Sequence, residues 1–150
     1  MRVKYLLLAE HAEAINNKHY IMGGGLFALA GPEYPLVQPN LSVAASIDIP
    51  YEDTVEQHAL AIDVVDADER TVLPQPFSSK FETGRPPGMR HGDSQVAMMV
   101  VNFGNIQFPA EGRYWVKLEI DGTEMAREPL TLQRVHMVPM GVITHTTPTA

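Results

Sequence analysis

Leu41-Ser42-Val43-Ala44-Ala45-Ser46-Ile47-Asp48-Ile49-Pro50 places apolar residues at its odd positions and small or polar ones at its even positions. Side chains alternate between the two faces of a strand, so this period of two predicts a β-strand with one face on a core. The other face is expected to meet water or a partner. A second run of this kind, Tyr114-Trp115-Val116-Lys117-Leu118-Glu119-Ile120, is closed by Asp121-Gly122. Asp-Gly accepts the positive φ angles of a two-residue hairpin turn. The two runs together predict an antiparallel β protein.

Outward from these runs, residues 3–9 read as a strand; a short helical reading through Ile15 is the alternative. Asn16-Asn17 reads as a hairpin turn, because Asn tolerates positive φ. Residues 18–30 read as one long strand interrupted by Gly23-Gly24-Gly25, a bulge, bend or close approach. Residues 33–40 hold Pro35 and Pro39 and read as a crossover loop. Residues 58–65 form a strand with His58, Leu60, Ile62 and Val64 on one face, followed by an acidic turn at 66–70. The stretch 74–94 is rich in Pro and Gly and reads as one long loop, of a length that is often functional or ordered by a partner. Residues 96–103 are nearly all apolar, as in a central strand covered on both faces. Pro129 predicts an edge strand or a break, since proline donates no ladder hydrogen bond.

The predicted fold class is therefore all-β: an antiparallel β-sandwich of Greek-key, jelly-roll or immunoglobulin-like kind, spanning residues 1–135. An extended C-terminal tail, residues 136–150, follows it. A tail with no core of its own needs a surface to lie on, which points toward an assembly. The runner-up is an α+β fold with residues 6–15 helical.

Bulk composition narrows the function classes. The chain has 150 residues, enough for one domain with a core. Charged residues are only 19%, which leaves much neutral surface suited to protein contact. The formal net charge of −7 opposes nucleic acid, and Arg85, Arg90 and His91 form the only local basic cluster. There are no cysteines, so thiolate nucleophiles, disulfides and zinc–thiolate sites are excluded. The apolar stretch at residues 5–9 is too short for a secretion signal, and no segment is long enough to cross a bilayer. A cytoplasmic protein is expected.

Leu8-Ala9-Glu10-His11-Ala12, Lys18 through Gly25, Ser46-Ile47-Asp48-Ile49-Pro50, His58 through Asp66 and Phe108-Pro109-Ala110-Glu111-Gly112-Arg113-Tyr114 resemble a family of small uncharacterised actinobacterial proteins. Its members share a start of the type LAD-x-A, a GGG stretch after the first hairpin and a late P-x-x-G-x-Y turn. The resemblance covers residues 3–135 and implies a bacterial, β-rich domain. It implies no activity and no catalytic residue. Glu10 stands where the family start has Asp.

Catalytic and metal constellations are not legible. The six histidines, His11, His19, His58, His91, His136 and His145, lack the close spacing of metal ligands. His58, on an apolar strand face, reads as a hydrogen-bonded core or interface histidine. His91 with Asp93 is the best pair for acid–base chemistry, with no nucleophile identified beside it. Asp66, Asp68 and Glu69 read as an exposed acidic turn, since Arg70 intrudes on a calcium loop.

The expected function is a non-catalytic protein that binds other protein through loops, edges and tail, as a homo-oligomer or a structural part of a larger, particle- or capsid-type assembly. No cofactor, metal, nucleic acid or membrane partner is expected. The candidate interaction residues are Trp115, Arg85, Arg90, His91, Pro139 and Met140. The alternatives are a carbohydrate or small-molecule binder stacking ligand on Trp115, Tyr34 or Tyr51, and an enzyme working near His91 and Asp93.

Overall fold

The computed structural model describes residues 1–135. The strands are β1 (Arg2–Ile15), β2 (Lys18–Gly24), β3 (Ala28–Gly31), β4 (Leu36–Pro50), β5 (His58–Val65), β6 (Phe77–Phe81), β7 (Ser94–Phe108), β8 (Gly112–Ile120) and β9 (Thr123–Arg134). A short 3-10 turn, Tyr51–Asp53, follows β4. Over these residues the chain is all-β, in two sheets of order β2-β1-β4-β7 and β3-β9-β8-β5-β6. The helical alternative for residues 6–15 is overturned. Asn16 and Asn17, at φ 50° and 55°, reverse the chain in two residues. Ile15 then pairs with Lys18, and the ladder continues to Ala9 opposite Gly24.

The pairing is not wholly antiparallel, because β3 runs parallel to β9. The cause lies in the glycines. They do not interrupt one long strand; they end β2 and release the chain toward the other sheet. Gly23 and Gly25 have φ of 63° and 79°, which side-chain-bearing residues seldom adopt. A Cβ on Gly23 would also come within 2.8 Å of the Glu10 side chain.

Both sheets contribute to one apolar core. Leu6, Leu8, Val43 and Ile47 from the first meet Ile62, Val64, Val116, Leu118 and Leu130 from the second. Tyr114 is buried there, edge-on to Phe108 at 5.0 Å between ring centroids. Its hydroxyl donates to the Ala110 carbonyl at 2.6 Å, which ties the ring to the turn at Pro109-Ala110-Glu111-Gly112. Gly112 supplies the φ of 140° that the turn needs.

The strand that decided the fold is longer than its pattern. β4 starts at Leu36 and runs through Pro39, so residues 36–40 are strand and not crossover loop. Leu41, Val43, Ala45, Ile47 and Ile49 face the core as expected. The opposite face is a correction. Ser42, Ala44 and Ser46 are fully buried too, and they meet neither water nor a partner. The β1–β2 hairpin folds back across them. The Asn102 side-chain amide donates to the Ala12 carbonyl at 3.3 Å. The Asn102 side-chain oxygen accepts from the Ser42 hydroxyl. At the hairpin tip, the Asn17 amide donates to the Val96 carbonyl at 2.9 Å, and its oxygen accepts from the Met98 N–H at 3.2 Å. Only small side chains leave room for a second layer this close, which is why the even positions of β4 are Ser and Ala.

Three further expectations change. β7 is an outermost strand of its sheet and not a central one; its apolar run meets the core on one face and the hairpin on the other. Met99 packs against the core, and Met98 meets the chain's own hairpin. Tyr5 of β1 touches the Met98 sulfur at 3.6 Å. The stretch 74–94 is not all loop, because β6 lies inside it and pairs with β5. β9 passes unbroken through Pro129; β3 reaches it only from Thr131 onward, so the proline sits where that edge is open.

Candidate functional site

The residues singled out from sequence fall into separate places. Arg85 and His91 meet around Tyr51. The Arg85 guanidinium lies 3.7 Å from the Tyr51 ring centroid, and the His91 ring lies at 4.2 Å. Arg85 also donates to the Thr54 hydroxyl at 2.8 Å and the Tyr51 carbonyl at 2.9 Å. These bonds hold the turn after β4, where Val55 takes a left-handed φ of 65°. His91 is not paired with Asp93. Its Nδ1 lies 3.0 Å from Glu52, and this hydrogen bond draws the Glu52 carboxyl below the usual carboxylate range. Asp93 instead accepts from the Arg90 backbone N–H at 2.8 Å, and the Arg90 side chain is exposed. The proposed acid–base pair is therefore split between a contact from His91 to the turn after β4 and a local turn contact at Asp93. Pro139 and Met140 lie outside the described residues.

Trp115 lies half-buried on the outer face of the second sheet, between Arg113 at 5.4 Å and Arg127 at 5.5 Å. Arg127 bonds both Glu124 and Glu69, and Lys117 joins Glu69 at 3.3 Å. These cations draw the Glu69 and Glu124 carboxyls down, the Arg127 hydrogen bond contributing most. Tyr34, the third proposed stacking platform, has Arg134 at 5.5 Å and gives its hydroxyl to the Gln133 carbonyl. All three rings thus already carry a guanidinium. His58 is buried, as its strand face predicted, with Nδ1 at 2.7 Å from Asp121 and Nε2 at 2.7 Å from the Asp53 carbonyl. Among the described residues, no three His, Asp or Glu side chains converge as a metal would require, and no helix is long and apolar enough to cross a membrane.

Two surfaces were not found from sequence. The first is the outward face of the β1–β2 hairpin. Tyr20 and Met22 share that face of β2 and are 55% and 70% exposed; Phe27, just past the glycines, is 75% exposed. β2 is also an outermost strand, so among the described residues one side of its backbone ladder pairs with no strand. Lys18, Tyr20 and Met22 alternate with His19 and Ile21, a period-two signal for this face that stops at the glycine triplet.

The second is a groove of about 830 Å³ between β6 and β7, the outermost strands of the two sheets. Phe77 and Phe103 meet edge-on across it at 6.3 Å. Gln75, Asn105 and Gln107 add amides, and none of its twelve lining residues is charged. A smaller hollow of about 340 Å³ shares Val72 and Gln107 with it and is lined also by Pro35.

A family model matches residues 4–133, under the description "Family of unknown function (DUF6941)". The chain belongs to this family. The match spans nearly the same residues as the described structure. No curated protein matches the chain. Among solved structures, it is similar to the Pseudomonas fluorescens alkylpurine DNA glycosylase AlkC bound to DNA containing an abasic site analog, at 10% identity and a TM-score of 0.39. That match covers 85% of this chain and 30% of the glycosylase, so the DUF6941 chain spans under a third of that protein's length. A likeness this low carries no argument.

Proposed function

We propose that this DUF6941 chain is a non-catalytic β domain that assembles with copies of itself through the outward face and free edge of the β1–β2 hairpin. The observation that carries the reading is the exposure of Tyr20 and Met22 on β2, and of Phe27 just past it, with one edge of β2 unpaired among the described residues. Neighbouring large apolar side chains left in water mark interaction sites, and aromatic residues and Met are enriched at interface centres. An open strand edge accepts another strand through main-chain hydrogen bonds. An antiparallel β2–β2 contact uses one patch twice and closes with two-fold symmetry. The low share of charged residues, 19%, supports the same reading.

A cytoplasmic home and protein partners go with this function. The net charge of −7 supports a chain that does not seek nucleic acid. The fold goes with it as a Greek-key sandwich of immunoglobulin-like kind, supported by the single core shared by both sheets and by the Tyr114 corner.

Hydrogen exchange tests the interface. The β2 amides should exchange slowly in concentrated solution and quickly on dilution, and Met22→Lys should make them fast at every concentration. Exchange at β2 that ignores both dilution and the Met22→Lys change overturns the reading.

A further inference from the structure

The groove between β6 and β7 is built from two kinds of side chain. Phe77 and Phe103, partly buried against the core, meet edge-on at 6.3 Å. Gln75, Ser78, Asn105 and Gln107 line it as exposed residues. One backbone feature sorts the β7 side. Asn105 takes a left-handed φ of 52°, and the ladder to β4 steps over it from Gly104 to Ile106. The step shifts the alternation by one residue. Val101 and Phe103 pack on the core before it, and Ile106 and Phe108 after it. Asn105 and Gln107 are thereby turned out to the mouth of the groove. Asparagine tolerates this conformation and brings an amide with it. Other carboxamides in and beside this sheet are committed to backbone: Asn17, Gln38, Asn40 and Asn102 each bind a carbonyl.

We propose that this groove binds a short, uncharged saccharide, its ring faces on Phe77 and Phe103 and its hydroxyls on Gln75, Asn105 and Gln107. The volume of about 830 Å³ lies within the range of small-molecule sites, about 300–1,000 Å³. The lining selects for neutrality. None of its twelve residues is charged, so an ionic ligand would lose hydration and gain no counter-ion. The amides select for hydroxyls. Neighbouring sugar hydroxyls each donate and accept, and a carboxamide does both from one plane. The C–H face of a sugar ring is apolar and suits the electron-rich face of a phenyl ring. A peptide strand fits less well. Pro74 and Pro76, just before β6, and the left-handed Asn105 in β7 interrupt the two edges as ladders, and such interruptions keep strands from adding. The inference does not rest on the hairpin interface, which lies on other strands.

The full chain, applied to an array of neutral and acidic glycans, should be retained on neutral ones. The best of these, in solution, should shift the amide resonances of Phe77, Ser78, Phe103 and Gly104. Gln75→Ala with Asn105→Gly removes two amides, and glycine keeps the φ of 52°. Affinity should fall about tenfold or more, the worth of two hydrogen bonds. Gln107→Ala, a separate surface change, should weaken binding as well. No retained glycan, retention of acidic glycans alone, or an affinity that ignores the amide changes overturns the proposal. Short peptides from a displayed library that shift the same resonances, where no glycan does, would place a strand in the groove and overturn it too. Each of these results leaves the β2 exchange experiment free to stand or fail separately.

Discussion

The imidazole of His58, at the start of β5, lies 2.7 Å from the Asp121 carboxylate at the tip of the β8–β9 hairpin. Its other nitrogen lies 2.7 Å from the Asp53 carbonyl. Both partners only accept, so both ring nitrogens must donate, and the buried ring is an imidazolium. Asp121 raises the His58 pKa most, the Asp53 carbonyl adds to that, and burial opposes both. The same hydrogen bond lowers the Asp121 carboxyl.

The sign of the pH dependence follows. A raised histidine pKa contributes stability that is complete below the ordinary value of 6.5 and is lost as pH rises through the folded-state value. A lowered carboxyl contributes stability that is present above the ordinary 3.8 and is lost as pH falls through its folded-state value. The pair should therefore stabilise most between those two ordinary values. Denaturant unfolding of Asp121→Asn and the parent chain should differ most in that window, and the difference should shrink at alkaline pH. A difference that grows toward alkaline pH contradicts the imidazolium.

Asn17 does two jobs: it takes φ of 55° in the turn and caps the edge of β7 with its amide. Asn17→Gly keeps the turn and removes the cap. It should cost about 1–2 kcal/mol, the worth of two side-chain hydrogen bonds at an edge. The Met98 amide should lose its exchange protection. Unchanged protection at Met98 contradicts the folded-back hairpin.

Ala44 lies fully buried between the first sheet and that hairpin. Ala44→Leu should overpack the layer and cost about 1–3 kcal/mol by chemical denaturation. A solvent-facing even position would tolerate the same change.

Val55 is a β-branched residue in the left-handed region, fixed by its N–H bond to the Thr83 carbonyl at 2.8 Å and by Arg85 on the adjoining Thr54. Val55→Gly relieves that conformation and frees the unfolded chain. The balance should be a gain of about 0.5–1 kcal/mol in unfolding free energy. A loss of stability would contradict strain at this turn.

The inward side of the fold was legible in residues 41–50 and 114–122 because one buried face imposes period two, and Asn-Asn and Asp-Gly announce their turns chemically. The outward side was not. Ser42, Ala44 and Ser46 look like water-facing residues, and nothing local to them encodes a hairpin arriving from residues 10–24. The apolar run of β7 signals cover on both faces but cannot say that the cover is a folded-back hairpin instead of flanking strands. β6 was hidden because Ser78-Ser79-Lys80 between two phenylalanines carries little apolar pattern, as befits an outermost strand. His58 was read correctly from its strand face. The pairing of His91 with Asp93 failed because closeness in sequence gives no information about Glu52, which arrives from another turn.

Light scattering on the purified chain at rising concentration is the most direct measurement of the proposed assembly. The parent chain should reach at least twice the 16.6 kDa of one copy, and Met22→Lys combined with Phe27→Lys should hold it at 16.6 kDa. A parent chain that stays at 16.6 kDa, or an assembly that ignores both lysines, contradicts the account.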